Sequence, residues 1–195
     1  MAPKKKFSKE KIIDAAFEIA KTEGLDNITI RKVADKIGSS IAPIYVNFKD
    51  IDELISNVVM RIYEVSHKMY LAEDSGDSFK NMGAASIRFA KEYSVLFRDL
   101  LLKSNKYMKD YDKALGGFLV EEMRKDPDLE GFSDEELMNI LLKMRIFQLG
   151  LSVMVANDQL PPSFNDDNIL ELLESAASDV IISTRIKGKN KDLQV

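Results

Sequence analysis

Residues 29–48, TIRKVADKIGSSIAPIYVNF, constrain this chain more than any other stretch, because two short amphipathic helical patterns are separated by a break too short to be an open loop. Ile30, Val33, Ala34 and Ile37 recur at three- and four-residue spacing and so share one side of a helix, while Thr29 stands where its hydroxyl can cap the first amides. Gly38 ends that helix: glycine adopts left-handed backbone freely, where another side chain costs about 1 kcal/mol. Ser40 is placed to cap a second helix with Ile41, Ala42 and Pro43 in its first turn, where proline's missing N–H is no loss. Ile44 and Phe48, four apart, point inward, which leaves Tyr45, Val46 and Asn47 outward. Helix, tight glycine turn and second helix predict a helix-turn-helix, whose second helix enters the major groove of a DNA duplex.

A further helix at Lys9–Thr22, capped by Ser8, carries Ile12, Ile13, Ala16, Phe17 and Ala20 on one side, so residues 7–48 read as a three-helix unit around a shared core. The competing reading is an ordinary helical hairpin inside a larger bundle. Charge favours the DNA reading. Residues 1–50 hold ten Lys/Arg against seven Asp/Glu, a net of +3, which leaves −7 for the rest of a chain at −4. A basic unit beside an acidic body is what attraction to phosphate selects. Lys4, Lys5 and Lys6, with Lys9 close behind, form a basic N-terminal arm suited to a backbone or minor-groove contact.

The run from Ser8 to Leu54 resembles the DNA-binding domain of TetR-family transcriptional regulators. The likeness lies in AFEIAKTEG, GLDNITIRKVADKIG, the Ile44–Tyr45 pair, Phe48 and the acidic helix start ending at Leu54. It implies that Thr29 and Arg31 sit at the phosphate backbone, that Ser39, Ser40, Ile41, Ala42 and Pro43 approach base edges, and that Tyr45, Asn47 and Lys49 hold phosphates. Ala42–Pro43 stands where the family commonly has Gly-Thr, and Ile51 where it often has lysine. Base reading at that turn then relies on apolar contact, such as Ile41 or Pro43 against a thymine methyl, more than on bidentate hydrogen bonds.

At 195 residues and 45% hydrophobic, the chain is long enough for a small domain plus a larger one. The expected organisation is all-α: residues 1–49 a helix-turn-helix DNA-binding domain with its basic arm, and residues 50–195 a helical effector-binding and dimerisation domain. Asp50 and Glu53 read as a capping box that opens a long helix to about Leu71. AEDSGDS at 72–78 breaks it, and helical patterns follow at 79–92, 94–102 and 105–125. The loop DPDLEGF is closed by Ser133, again with Glu136 three later; a helix to about Ala156 and a last one over 167–186 complete the chain. With no cysteine, no signal-type apolar stretch and no run of the roughly 18 apolar residues that span a bilayer, a cytoplasmic location is expected.

The helix before Ala156 reads as apolar on two sides. Leu137, Leu141, Met144, Gln148, Leu151 and Val155 form one stripe, and Ile140, Phe147 and Met154 a second. With Leu173, Ala176, Ala177, Val180 and Ile181 on the last helix, they predict a four-helix bundle between two copies, with Leu137, Leu141, Met144, Leu151 and Val155 at the interface; burial of both faces within one copy is the alternative. A homodimer presents two recognition helices to a pseudo-palindromic double-stranded operator, with spacing as the controlled variable. A small-molecule effector in the body that favours another tilt of the 50–71 helix releases the DNA. Its candidate contacts are Met60, Tyr63, His67, Phe89, Tyr93, Phe97, Met108, Tyr111, Phe118 and Phe147, with Met154 beside them, although stripes of this kind more often form core. A body that answers a protein partner, or an activator, stays open as an alternative. No cofactor is expected, one histidine without cysteine argues against a metal site, and no Glu-x-x-His pair or Gly-rich phosphate loop supports an enzyme.

Overall fold

Caps written into the sequence set most of the helix ends in the computed structural model, which describes residues 7–76, 78–103, 119–121 and 123–192. Helix α1 spans Lys9–Glu23, and the Ser8 hydroxyl accepts from the Lys11 amide at 3.2 Å. A 3-10 turn at Leu25–Asn27 leads to α2, Ile30–Ile37, capped by Thr29 in the same way and ended by Gly38 in left-handed backbone at φ 68°. Helix α3 covers Ala42–Asn47. Ser40 does not cap it, contrary to the sequence reading. The Ser39 hydroxyl donates to the Ser40 carbonyl at 2.8 Å, and the helix starts one residue late, with no side-chain cap.

Helix α4, Ile51–Leu71, opens on a box displaced by one residue: Asp50 accepts from the Glu53 amide at 2.9 Å, and Glu53 reaches back to the Lys49 amide at 2.7 Å. After α5, Ser78–Glu92, come α6, Ser94–Phe97, and a π-helical turn at Arg98–Leu102. The expected helix at 105–125 falls mostly outside the described residues; 119–121 are helical. Ser133 and Glu136 form the full capping box that starts α7, Asp134–Ala156, and α8, Asp166–Asp192, runs past the predicted end at 186. Replacing Ser133 by alanine removes that reciprocal pair and should cost about 1 kcal/mol in chemical denaturation.

The chain divides into two compact units, and the division does not fall at residue 49. One unit holds the described residues up to Lys68 together with those from Tyr93 to Lys103. Most of α4 belongs there: Leu54, Val58, Val59 and Ile62 are buried, and Arg61 is paired with Glu10 at 2.5 Å and Asp14 at 3.0 Å on α1. Its core draws on Ile12, Ala16, Phe17, Val33, Ala34, Ile44 and Phe48, the inward positions of the periodicity, and also on Leu96, Phe97 and Leu100.

The second unit holds Met69–Glu92 and the described residues from Leu119 on. Here α5, α7 and α8 pack together around two clusters, one of Leu119, Met123, Leu129, Leu137, Ile140 and Leu141, the other of Ile87, Leu151, Ile169 and Leu173. Leu137, Leu141, Leu151 and Leu173 are thus spent on the unit's own core rather than offered to a second copy. Met144, Val155, Val180 and Ile181 pack partly buried against the same clusters, and Ala176 and Ala177 are half-buried. The apolar residues left outside on α7 are instead Met138, Leu142, Ile146, Leu149 and Met154, and on α8 Leu172, Ile182 and Ile186. Ile140, from the expected second stripe, is buried, and Phe147 is half-buried. Helix α7 is long and apolar enough to cross a membrane by length and composition, with 28% of its apolar window buried. Counting unbroken apolar runs misses it because Lys143 and Arg145 interrupt the sequence.

Candidate nucleic-acid interface

The candidate reading surface is what α2, the Gly38 turn and α3 leave uncovered once Val33, Ala34, Ile44 and Phe48 are inside. Ile41, just before α3, and Ala42, Tyr45 and Val46 on it are exposed, Tyr45 by 56% and Val46 by 66%. So large an apolar and aromatic exposure on a six-residue helix has no role in packing its own unit. Pro43 and Ser39 are half-buried and Ser40 is exposed. Asn47 departs from the outward placement: it is half-buried, with its amide nitrogen donating to the Pro43 carbonyl at 2.7 Å. Around this face stand exposed Thr29, Arg31, Lys36 and Lys49. The Thr29 hydroxyl already accepts from the Lys32 amide at 3.2 Å, which leaves its O–H as a donor. Lys32 is turned aside by Glu23, 2.5 Å away. Lys9 sits 5.1 Å from the centre of the Phe48 ring and so ties the start of α1 to the end of α3. The basic arm at 1–6 lies outside the described residues.

The effector candidates are divided. Met60, Tyr63, His67, Tyr93 and Phe97 belong to the first unit, Phe89 and Phe147 to the second, and Met108, Tyr111 and Phe118 lie outside the described residues. Phe97 is fully buried and Phe89 buried, as core packing demands; Met60 and His67 are exposed, and Tyr93 stacks at a tilt on Phe17 with ring centres 6.3 Å apart.

One group escapes sequence reasoning. Asp99, 6% exposed in the π-turn, accepts from the Leu25 amide at 2.6 Å through Oδ2 and pairs with Lys103 at 2.5 Å through Oδ1. The hydrogen bond and charge of Asp99 hold the Lys103 ammonium above the ordinary lysine pKa. A raised lysine pKa means that the contribution of the pair to stability is complete below the ordinary value and is lost as pH rises through the folded one. The only local signal is an acid inside the apolar run LFRDLLL.

Residues 12–58 match the family model of bacterial regulatory proteins, tetR family. The chain is 21% identical over 150 residues to an HTH-type transcriptional regulator of Staphylococcus aureus (strain MRSA252), covering 73% of this chain and 81% of that protein. It is 32% identical over 87 residues to the class D tetracycline repressor protein of Escherichia coli, covering 44% of this chain and 40% of the repressor. Among solved structures, a transcriptional regulator from Rhodococcus sp. Rha1 superposes with a TM-score of 0.66 at 13% identity, over 91% of this chain and 97% of that one. The fatty acid degradation regulator FadR from Bacillus halodurans gives 0.61 at 16% identity, with the same coverage of each chain. A TetR variant from Acinetobacter baumannii AYE in complex with minocycline gives 0.59 at 16%, over 92% and 97%. With its helix-turn-helix exposed and its sequence matched over residues 12–58, the N-terminal part of the chain is a DNA-binding domain of the tetR type of bacterial regulatory proteins, and the fold along nearly the whole chain is the one shared by these solved transcriptional regulators.

Proposed function

We propose that the chain is a homodimeric repressor that reads a pseudo-palindromic operator through α3 and is released from it by a small-molecule effector held in the helical body. The observation that carries this reading is the pairing of two uncovered surfaces: the α3 face with Tyr45 and Val46, and the apolar stripes of α7 and α8. Met138, Leu142, Ile146 and Leu149 step by four, four and three along α7, while Leu172, Ile182 and Ile186 share one side of α8, the helix packed against it. A two-fold axis through such a helix pair builds a four-helix bundle, and reading a pseudo-palindrome in successive major grooves needs the two α3 helices roughly 34 Å apart. Thr29, Arg31 and Lys49 hold the backbone, and Ser39 to Pro43 and Tyr45 face the groove, with Asn47 bracing α3 from within.

Small-molecule release rests on the relatives, one called a tetracycline repressor and one solved with minocycline. Phe89 and Phe97 are core, so among the described candidates Met60, Tyr63, His67 and Tyr93 of the first unit and Phe147 of the second, each within its own unit, keep the aromatic or flexible side chains that a ligand contact uses. A ligand that prefers one arrangement of α4 by 1 to 3 kcal/mol shifts operator affinity by the same amount.

Selection of bound duplexes from a random pool at fixed salt tests both halves: a palindromic product is expected, and recovery of half-sites alone overturns the dimer. A panel of apolar and aromatic compounds, screened by thermal stabilisation, should yield at least one that lowers affinity for the selected duplex. A compound that raises it instead identifies an activator or co-repressed system.

A further inference from the structure

We propose that Asp99 is a positioning residue for DNA reading, fixing the turn from which α2 starts and through it the seating of α3; this rests on the operator-binding reading above. The carboxylate belongs to the π-turn at Arg98–Leu102, yet its Oδ2 receives the backbone N–H of Leu25, 74 residues earlier in sequence, at 2.6 Å. Burying a carboxylate is expensive unless its oxygens are satisfied. Here Leu25 satisfies one oxygen and Lys103 the other, and Lys103 also lies 3.7 Å from Asp26 of the same turn. Leucine in that place would bury more cheaply among Leu96, Phe97 and Leu100.

The turn is shaped to receive the acid. Gly24 has φ +95°, and a Cβ there would lie 2.5 Å from Asp99 Oδ2, so the absence of a side chain makes room for the carboxylate. From the turn the chain passes through buried Ile28 to Thr29, the cap of α2, and α2 is joined to α3 by a few residues around Gly38. A π-turn closed by Lys103 N–H on the Arg98 carbonyl at 3.1 Å carries the two charged residues, four apart, on the side that meets the turn. Such single π-turns concentrate at functional positions. The contact therefore orders the start of the reading motif before DNA arrives, and without it operator binding must bear that ordering itself.

The test uses the full-length protein and the selected duplex, with affinity read by fluorescence anisotropy and folding by helical circular dichroism and thermal midpoint. Asp99→Ala should weaken binding about tenfold with secondary structure retained, whereas Asp99→Asn, which keeps an oxygen acceptor for Leu25, should stay within about threefold of wild type. Rescue by asparagine separates positioning from mere loss of packing. Equal affinity for Asp99→Ala and wild type, with only the thermal midpoint lowered, overturns the proposal, and so does an equal loss in both variants. Should Asp99→Ala fail to fold, amide exchange of Leu25 in the wild-type protein decides: slow exchange that slows further with operator is expected, and fast exchange in both states sinks the idea. A wild-type chain that binds no duplex overturns the operator reading itself, an outcome distinct from normal binding by an Asp99 variant.

Discussion

Ala42→Asp is expected to weaken operator binding at least a hundredfold, roughly, while leaving the fold intact. Ala42 opens α3 and is exposed, so the new carboxylate displaces nothing inside the unit. An acid in the first turn of a helix is favourable to that helix, since it faces the unpaired amides and the positive end of the dipole. Any loss of affinity therefore comes from the interface: a negative charge set against phosphates and base edges where a methyl group stood. Circular dichroism and the thermal midpoint should match wild type, and anisotropy titration at fixed salt gives the affinity. Unchanged binding would remove α3 from the reading role. A milder companion, Arg31→Ala, should weaken all duplexes alike by severalfold and reduce the steepness of the salt dependence by about one phosphate contact.

The second large effect is expected from the stripe on α7. Leu142 is 58% exposed and Ile146 65%, one helical turn apart, so Leu142→Glu combined with Ile146→Glu changes no core contact of the unit. In a two-fold bundle the same pair would set four carboxylates near one axis, where like charges repel. The double variant should sediment as a monomer at micromolar concentration, where the parent is expected to sediment as a dimer. Operator affinity should drop between about 10² and 10⁴-fold, because two linked half-site contacts become independent. Its thermal midpoint should also lose the dependence on protein concentration that a dimer shows. A double variant that remains dimeric moves the interface elsewhere. By contrast Leu137→Ala, beneath the same helix, should cost about 2 to 5 kcal/mol of stability in either oligomeric state, since Leu137 is core.

What was legible in the sequence was what local chemistry decides. Ser8, Thr29, Asp50 and Ser133 announce helix starts because a short oxygen can reach an amide two or three residues on, and Gly38 announces a stop because its backbone is left-handed. Most of the inward set of α1, α2 and α3 follows from period, although Ala15 and Ile19 of α1 are buried as well and Ile30 and Ile37 of α2 are only half-buried. Failures occur where two local options compete or where the deciding partner is remote. Ser40 offered a hydroxyl for the cap of α3, but the helix starts at Ala42 without a side-chain cap and the Ser39 hydroxyl bonds to the Ser40 carbonyl. On α7 the residues of each face can be grouped by spacing, but spacing has no means of telling which face meets α5 and α8. Leu137, Leu141 and Leu151 were consequently exchanged with Met138, Leu142 and Ile146. A boundary after residue 49 takes no account of α4, most of which is buried with the N-terminal helices, nor of the chain's return to them at Tyr93, both of which depend on contacts remote in sequence. Asp99 was invisible: its acceptor role depends on an amide 74 positions away.

The fit of Gly24 around the Asp99 carboxylate ties two distant codons to one history. A side chain cannot enter at 24 while the acid stands 2.5 Å from where its first carbon must go, and the positive φ disfavours it even afterwards. Nor can the acid leave freely, since the Leu25 amide then loses its acceptor, at about 1 to 3 kcal/mol for a buried donor. Drift at either site alone leads downhill in fitness, so among descendants of this gene the pair should either persist unchanged or be replaced jointly, in the order acid first and glycine second.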